Sequence, residues 1–491
     1  MLLKVKSLKF VAGRPVAIIN QKTAKNLSVY VGERIRLKNR KEILAIVDIA
    51  KGIIKENEIA LSQEILDEMG ISEGYAVEAN AAPRPESTAY IFEKLDGKEL
   101  DSRKIYSIVK DIVDNALTEV EIAYFISGIY VNGMNDRETM TLTKAMVDTG
   151  KKMSIRNSID KHSIGGIPGN RTTPVLVSIC SSTGLIMPKT SSRAITSAAG
   201  TADVMECFSN VEFSIPEIRK IVGKTNACLV WGGALNLAPA DDKIIQVERI
   251  IGLDPEVQLI ASILSKKIAI GARYVLIDIP YGKSAKVDSK KAKGLAKKFK
   301  KIGGMLGLRI KTVLTDGSQP IGNGIGPVLE ARDVYSVLSQ KTERPLDLEN
   351  KSLMLSGEIL EMTGKAKKGK GRKLALEILR SKKALQQFKN IIEAQGGSLN
   401  GIEGRLKSEK MTFETRAERS GTIKEIDNRK IASIALSAGC PADKDSGLFL
   451  HVHDNFKVKK GDVLMTIYAE TKEKLNFARK AYASLKPIVI A

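Results

Sequence analysis

The spacing of apolar positions changes along the chain, and each change marks a region. Through residues 1–84 short apolar runs alternate with charged positions, as in Lys4–Phe10, Val16–Asn20, Leu27–Gly32, Arg34–Lys38 and Glu42–Ala50. That spacing predicts the strands of a small N-terminal β domain, closed by a short helix over 62–70 and a strand over 75–81. Ala81-Ala82-Pro83-Arg84-Pro85 ends the unit, because two prolines so close resist both helix and central strand. From about 86 to 155 the period is helical. Ile91, Phe92 and Leu95 share a face, as do Ile105, Ile108, Ile112 and Val113. Thr118-x-x-Glu121 and Asn135-x-x-Glu138 read as capping boxes that start two of these helices. Residues 238–272 return to the helical pattern, so 85–340 is read as a helical lobe (86–155, 238–272) with an α/β lobe (157–237, 273–340). There Val175–Cys180, Ala227–Val230 and Tyr274–Ile279 are apolar runs that suit buried strands or the helices that cover them. Residues 341–491 form a C-terminal α/β domain whose pattern turns to β after 410. The fold class is a multi-domain α/β one.

The candidate chemistry sits in 160–206. Two glycine-rich polar loops, Asp160–Thr173 and Thr190–Asp203, flank the apolar stretch Val175–Met187. Backbone N–H groups, hydroxyls and a fixed cation are what an oxyanion needs. Lys161 supplies the charge, and Ser163, Thr172, Thr173, Ser191, Ser192 and Thr201 the hydroxyls. Gly165, Gly166, Gly169 and Gly200 let the backbone approach closely. Ser192–Ser197 reads as the opening of a helix, whose N–H groups suit a second phosphate. Arg193 is either a fork donor to phosphate or the partner of Asp203 or Glu206 in an internal ion pair.

Asp160–Gly166 (DKHSIGG) followed by Ser191–Glu206 (SSRAITSAAGTADVME) resembles the signature of the thymidine phosphorylase family of nucleoside phosphorylases. Segments 118–150, 261–285 and 314–327 continue the likeness in the family's order, and it covers roughly 86–490. The extra residues 1–85 resemble the extension carried by the family's archaeal type 2 branch, and also small double-psi-type β barrels. The resemblance implies a thymidine phosphorylase-type helical lobe and α/β lobe, with hinge closure between lobes, and a barrel-sandwich-like tail. It implies phosphorolysis of AMP, with CMP and UMP tolerated, giving free base and ribose 1,5-bisphosphate on a route toward RuBisCO. Inorganic phosphate is then a co-substrate, and no metal or other cofactor is required.

Site roles follow residue by residue. Lys161, Ser163, Thr173, Ser191 and Thr201 match the family's ligands to the attacking phosphate. Ile167–Arg171 is longer than in the pyrimidine enzymes, which shifts the register at Thr173. Gly166 lies against the nucleotide, where a Cβ would collide. The nucleotide is further held by Ser192, Arg193, Ala194, Ile195, Thr196, Ser197 and Thr201, and by Ser262 and Lys266, four apart on one helical face. Lys286 matches a nucleotide position in the type 2 branch; by itself it is one more lysine in a lysine-rich chain. Asp254 is a helix N-cap from sequence alone. The resemblance makes it the general acid that protonates the purine, which requires a raised pKa. His162 contacts the base in pyrimidine enzymes, and a purine leaves its role open.

Composition narrows the rivals. Lys and Arg total 78 against 56 Asp and Glu, a net charge of +22. That excess suits anionic partners. Aromatic residues make up only 5% of the chain, and no Arg/aromatic platform, zinc-finger or RNP spacing points to nucleic acid. Cys180, Cys207, Cys228 and Cys440 lack C-x-x-C spacing and read as free thiols of a reducing cytoplasm. His451 and His453 share a strand face, read as surface rather than metal site. No apolar run reaches membrane length. The resemblance implies small-molecule nucleotide and phosphate as the partners, and a homodimer or larger homo-oligomer. An anthranilate-type phosphoribosyltransferase shares the second loop, but it uses magnesium held by adjacent acidic residues, and no convincing Asp-Glu pair stands in the corresponding region.

Overall fold

A computed structural model describes residues 1–194, 197–407 and 411–491. It divides into two compact units, Met1–Gly150 with Ala238–Ser265, and Lys151–Leu237 with Lys266–Ala491.

The first unit opens with a closed barrel. Its strands are β1 (Leu2–Lys6), β2 (Val16–Asn20), β3 (Arg34–Lys38), β4 (Glu42–Ala50), β5 (Glu58–Leu61) and β6 (Ala76–Ala82), in the order β1-β5-β2-β4-β3-β6. Alternation turns Leu3, Val5, Ile35, Leu37, Ala45, Val47, Val77 and Ala79 inward, where all are buried. Leu27–Gly32, expected as a strand, is instead a helix end and a turn. Asn20 caps the helix Gln21–Leu27 by accepting from the Lys22 N–H, and Ser28 closes it in the left-handed conformation. β5 went unread because it is four residues long.

Helices Ser87–Leu95, Ser102–Val113, Glu119–Asn132 and Asp136–Asp148 follow, and Pro239–Ile251 packs with them. Both capping boxes form: Thr118 with Glu121, and Asn135 with Glu138. Glu138 also accepts from the buried Lys94 ammonium at 2.9 Å and from the Leu100 N–H at 2.9 Å. Ile105, Ile108 and Ile112 are buried as their spacing predicts, whereas Phe92 points outward beside Tyr124. Arg34 on β3 donates to the Ala116 carbonyl and to Glu121, anchoring the barrel to the bundle.

In the second unit β7 (Ser158–Ser163), β10 (Ala272–Tyr281) and β11 (Arg309–Asp316) form a parallel sheet in the order β11-β10-β7. The parallel pair β8 (Met187–Ser191) and β9 (Ala227–Trp231) lies beside β7, joined by the Ile159 N–H to the Ile186 carbonyl at 2.8 Å. Val175–Cys180 belongs to a wholly buried helix, Thr172–Ser181, and not to a strand. Helices Pro327–Ser339, Leu346–Met362, Gly371–Arg380 and Lys383–Ala394 pack around it. The lysine-rich helix Ser289–Met305 buries Leu295, Phe299 and Ile302, as expected. The C-terminal part holds a four-stranded sheet of β12 (Gly324–Ile325), β13 (Met411–Arg416), β15 (Gly447–Leu450) and β17 (Val463–Ala469). A second sheet joins β14 (Gly421–Ile426), β16 (Lys457–Val458) and β18 (Ile488–Ile490). His451 and His453 bond to Thr466 Oγ1 at 2.9 Å and Asn323 Oδ1 at 3.0 Å. All four cysteines are free thiols.

Candidate active site

Asp160 and Lys161, both 1% exposed, stand in the middle of β7, opposite Val275 and Leu276 of β10. Asp160 accepts from the Lys267 ammonium at 2.8 Å and lies 3.4 Å from Lys189. These two cations outweigh the cost of burying it and hold its carboxyl below the usual range. Lys161 projects at the N-terminus of Thr172–Ser181. Its ammonium donates to Thr172 Oγ1 at 2.9 Å and Thr173 Oγ1 at 3.5 Å, and lies 4.0 Å from Asp278 Oδ2. Burial, against the pull of Asp278, brings the Lys161 pKa down to about 8. No side chain caps this helix, so its first N–H groups, the Lys161 ammonium and the Ser163 hydroxyl are donors of the kind an anion requires. Thr172 is therefore a closer partner of Lys161 than Thr173, whose register the longer segment 167–171 shifts.

The second loop is tied to the first by Arg171. Its guanidinium pairs with the buried Glu330 and donates to Thr201 Oγ1 at 2.9 Å and to the Ala199 carbonyl at 2.6 Å. Thr201 does stand where the loops meet. The Ser191 hydroxyl is buried and has no hydrogen-bond partner among the described residues, so its capacity points to a ligand.

Other expectations change. Ser192–Ser197 does not open a helix: Ser192, Arg193 and Ala194 are loop, Ile195 and Thr196 lie outside the described residues, and the short helix begins at Thr201. Asp203 is the cause. Its Oδ2 accepts from the Ala194 N–H at 2.7 Å and the Gly200 N–H at 2.7 Å, folding the loop back until a Cβ on Gly200 would lie 2.4 Å from the Ser192 carbonyl. Ser197 donates to the Ala199 carbonyl at 3.1 Å. Arg193 takes the ion-pair alternative. It meets Glu206 through two bonds of 2.9 Å and Glu212 at 3.0 Å, and stacks over Trp231. Gly166 is at φ +87°, and its Cβ would meet Lys286 at 3.1 Å. The close approach that demands glycine is thus to the Lys286 backbone.

Lys286 is exposed and lines a cavity of about 480 Å³ with Lys283, Lys291 and Arg429. His162 is held neutral, its pKa well below 6.5, by burial first and then by Lys267, Lys189, Lys266 and Lys161. The helix Glu256–Ile270 carries both Ser262 and Lys266, and the compact units divide at Ser265. In the first unit Ser262 donates to Asp241 Oδ2 at 2.8 Å, and Asp254 stands exposed two residues before the helix. In the second unit Lys266 is half-buried. The buried partners Lys189, Lys267, Asp278, Lys351, Arg171 and Glu330 were not read as site residues. Asp278 carried a signal as a charged residue inside the apolar run Tyr274–Ile279, and Arg171 stood inside the first loop.

The architecture is that of a pentosyl-transferring glycosyl transferase. Family profiles match in chain order: "Glycosyl transferase family, helical bundle domain" over 88–150, "Glycosyl transferase family, a/b domain" over 156–385, and "Pyrimidine nucleoside phosphorylase C-terminal domain" over 422–488. Anthranilate phosphoribosyltransferase from Thermus thermophilus superposes with a TM-score of 0.52 at 16% identity, covering 62% of this chain and 99% of that one; it shows the shared fold. Proteins named AMP phosphorylase match almost end to end. That of Thermococcus kodakarensis is 43% identical over 99% of this chain and 97% of its own. That of Methanococcus aeolicus is 41% identical over 98% and 97%, and that of Thermofilum pendens 42% over 100% and 95%. The chain belongs to the AMP phosphorylase family.

Proposed function

We propose that the protein cleaves AMP with inorganic phosphate to adenine and ribose 1,5-bisphosphate. A phosphate oxygen bonds to C1′ as the C1′–N bond breaks and its electron pair passes to the base. The base takes a proton from Asp254. Lys161, Ser163, Thr173, Ser191 and Thr201 hold the attacking phosphate, and the 2.9 Å bond from the Lys161 ammonium to Thr172 supports Thr172 as a further member of that set. The observation that carries the reading is buried charge. Around the Lys161 loop Lys161, Lys189, Lys267, Lys351 and Arg171 are all buried, with Asp160, Asp278 and Glu330 among their partners, a concentration of buried cations that suits a phosphate.

On the nucleotide, Lys286 and its basic cavity receive the 5′-phosphate, with Ser262 and Lys266 on the base. Gly166 keeps the Lys286 loop close. Arg193 contributes by shaping the second loop. Inorganic phosphate is the co-substrate, and the chemistry calls for no metal or redox cofactor. Assembly into a homodimer or larger homo-oligomer is supported by an apolar stripe on Glu119–Asn132, where Val120, Tyr124 and Val131 are 63%, 46% and 75% exposed. The C-terminal sheets suit the barrel-sandwich-like tail with a structural and assembly role. Among the described residues no helix is long and apolar enough to cross a membrane.

The test incubates the protein with phosphate and, separately, AMP, adenosine, thymidine and uridine. Adenine and a pentose bisphosphate from AMP, with little turnover of the nucleosides, is the expected result. Turnover confined to nucleosides overturns the 5′-phosphate site.

A further inference from the structure

We propose that Lys351 is a positioning residue for the attacking phosphate: by occupying the Asp278 carboxylate, it keeps the Lys161 ammonium available to the anion. Asp278 lies on β10, opposite Ser163 in register and fully buried. Its Oδ1 accepts from Thr315 Oγ1 at 2.6 Å. Its Oδ2 faces two ammonium groups, Lys351 at 3.3 Å and Lys161 at 4.0 Å. A lone lysine beside a buried carboxylate closes to about 2.8 Å, the length of a charge-assisted hydrogen bond. Here Lys161 stays back and bonds to Thr172 and Thr173. Lys351 is the nearer cation, at ion-pair distance from Asp278 Oδ2 and without a hydrogen bond between them.

Lys351 comes from the helix Leu346–Met362 and is 8% exposed. It stands at the wall of a cavity of about 400 Å³ lined also by Asp316, Asp347 and Arg372. Its ammonium makes no hydrogen bond of good geometry among the described residues. The ion pair with Asp278 is what its burial provides. If Lys351 is removed, Asp278 faces Lys161 alone. The ammonium is then drawn toward the carboxylate, and the field on the phosphate loses a positive charge. Both effects weaken phosphate and neither bears on the nucleotide.

The proposal rests on the phosphorolysis reading, so turnover is paired with calorimetric titration of inorganic phosphate into the nucleotide-free protein. For Lys351→Met the KM and Kd for phosphate rise about tenfold, the scale of one charge acting through protein of effective dielectric near 20. The KM for AMP stays within about twofold of the native value. Lys351→Arg, which keeps the charge on Asp278, holds the phosphate KM at or below the native value. Lys161 faces Asp278 and Asp160 as anions and Lys351 and Arg171 as cations. Losing one cation moves its deprotonation upward, so in Lys351→Met the alkaline fall of kcat/KM for phosphate starts at higher pH. A lower Tm with equal change in both KM values and an unmoved alkaline limb overturns the proposal. So does a Lys351→Arg protein whose phosphate KM rises, which decides the matter even where Lys351→Met does not fold. Native protein that binds phosphate in a Lys351-dependent way yet leaves AMP intact refutes the AMP reading alone. Native protein that binds no phosphate refutes the proposal.

Discussion

The barrel of the first unit and the β7–β10 region of the second bury their residues equally well and do so with opposite materials. The barrel core is aliphatic, from Leu3 and Val5 through Ile35 and Leu37 to Val77. Around β7 and β10 the buried side chains include Asp160, Lys161, Lys189, Lys267, Asp278 and Lys351. Burying an apolar side chain stabilises the fold by itself. Burying charge costs free energy unless each group is paired. The difference separates a region whose burial stabilises the fold by itself from one whose burial depends on setting charge against charge.

Asp254→Asn tests the chemical end of that contrast and carries the largest expected effect. It lowers kcat by about 10²–10⁴-fold, the usual worth of a positioned acid, with the circular dichroism spectrum unchanged. A variant that keeps most of its activity reduces Asp254 to a residue at the head of its helix. Arg171→Met strikes the charged region itself. It strands Glu330 in the interior, so thermal or denaturant unfolding loses about 3–5 kcal/mol, and the phosphate KM rises because Thr201 loses its anchor. Stability without change would mean that Glu330 is protonated, the direction in which burial already pushes it.

Leu37→Ala is the matching change in the barrel. A cavity there costs about 2–5 kcal/mol of stability, and both KM values, measured well below the unfolding temperature, stay as they were. A specific loss of phosphate affinity would erase the distinction between the regions. Lys286→Ala is the mildest. The KM for AMP rises about tenfold, a single phosphate contact being worth ~1.4 kcal/mol or more, and the KM for adenosine does not move. Equal changes on both substrates would remove Lys286 from the 5′-phosphate site.

The same contrast explains what could be read in advance. Aliphatic alternation placed β2, β3, β4 and β6, and Thr118 and Asn135 marked their helices, because those signals are local. Glycine, hydroxyls and Lys161 standing together marked the two candidate loops, which Arg171 joins in the structure. The remaining lysines were not legible, since a lysine is ordinarily a surface residue. Lys189, Lys267 and Lys351 are buried only because the fold brings Asp160 and Asp278 to them. The helix expected at Ser192 failed for a related reason: Asp203 captures the Ala194 and Gly200 N–H groups from ten residues away or fewer, and no period in the sequence records that.

The central claim is that the buried cations hold a phosphate that attacks C1′. Isotopically labelled inorganic phosphate incubated with AMP and the protein, followed by mass analysis of the sugar product, tests it directly. Ribose 1,5-bisphosphate carrying one labelled phosphoryl group is the predicted result. Unlabelled ribose 5-phosphate beside free adenine would mean that water, and not phosphate, is the nucleophile, and would contradict the account.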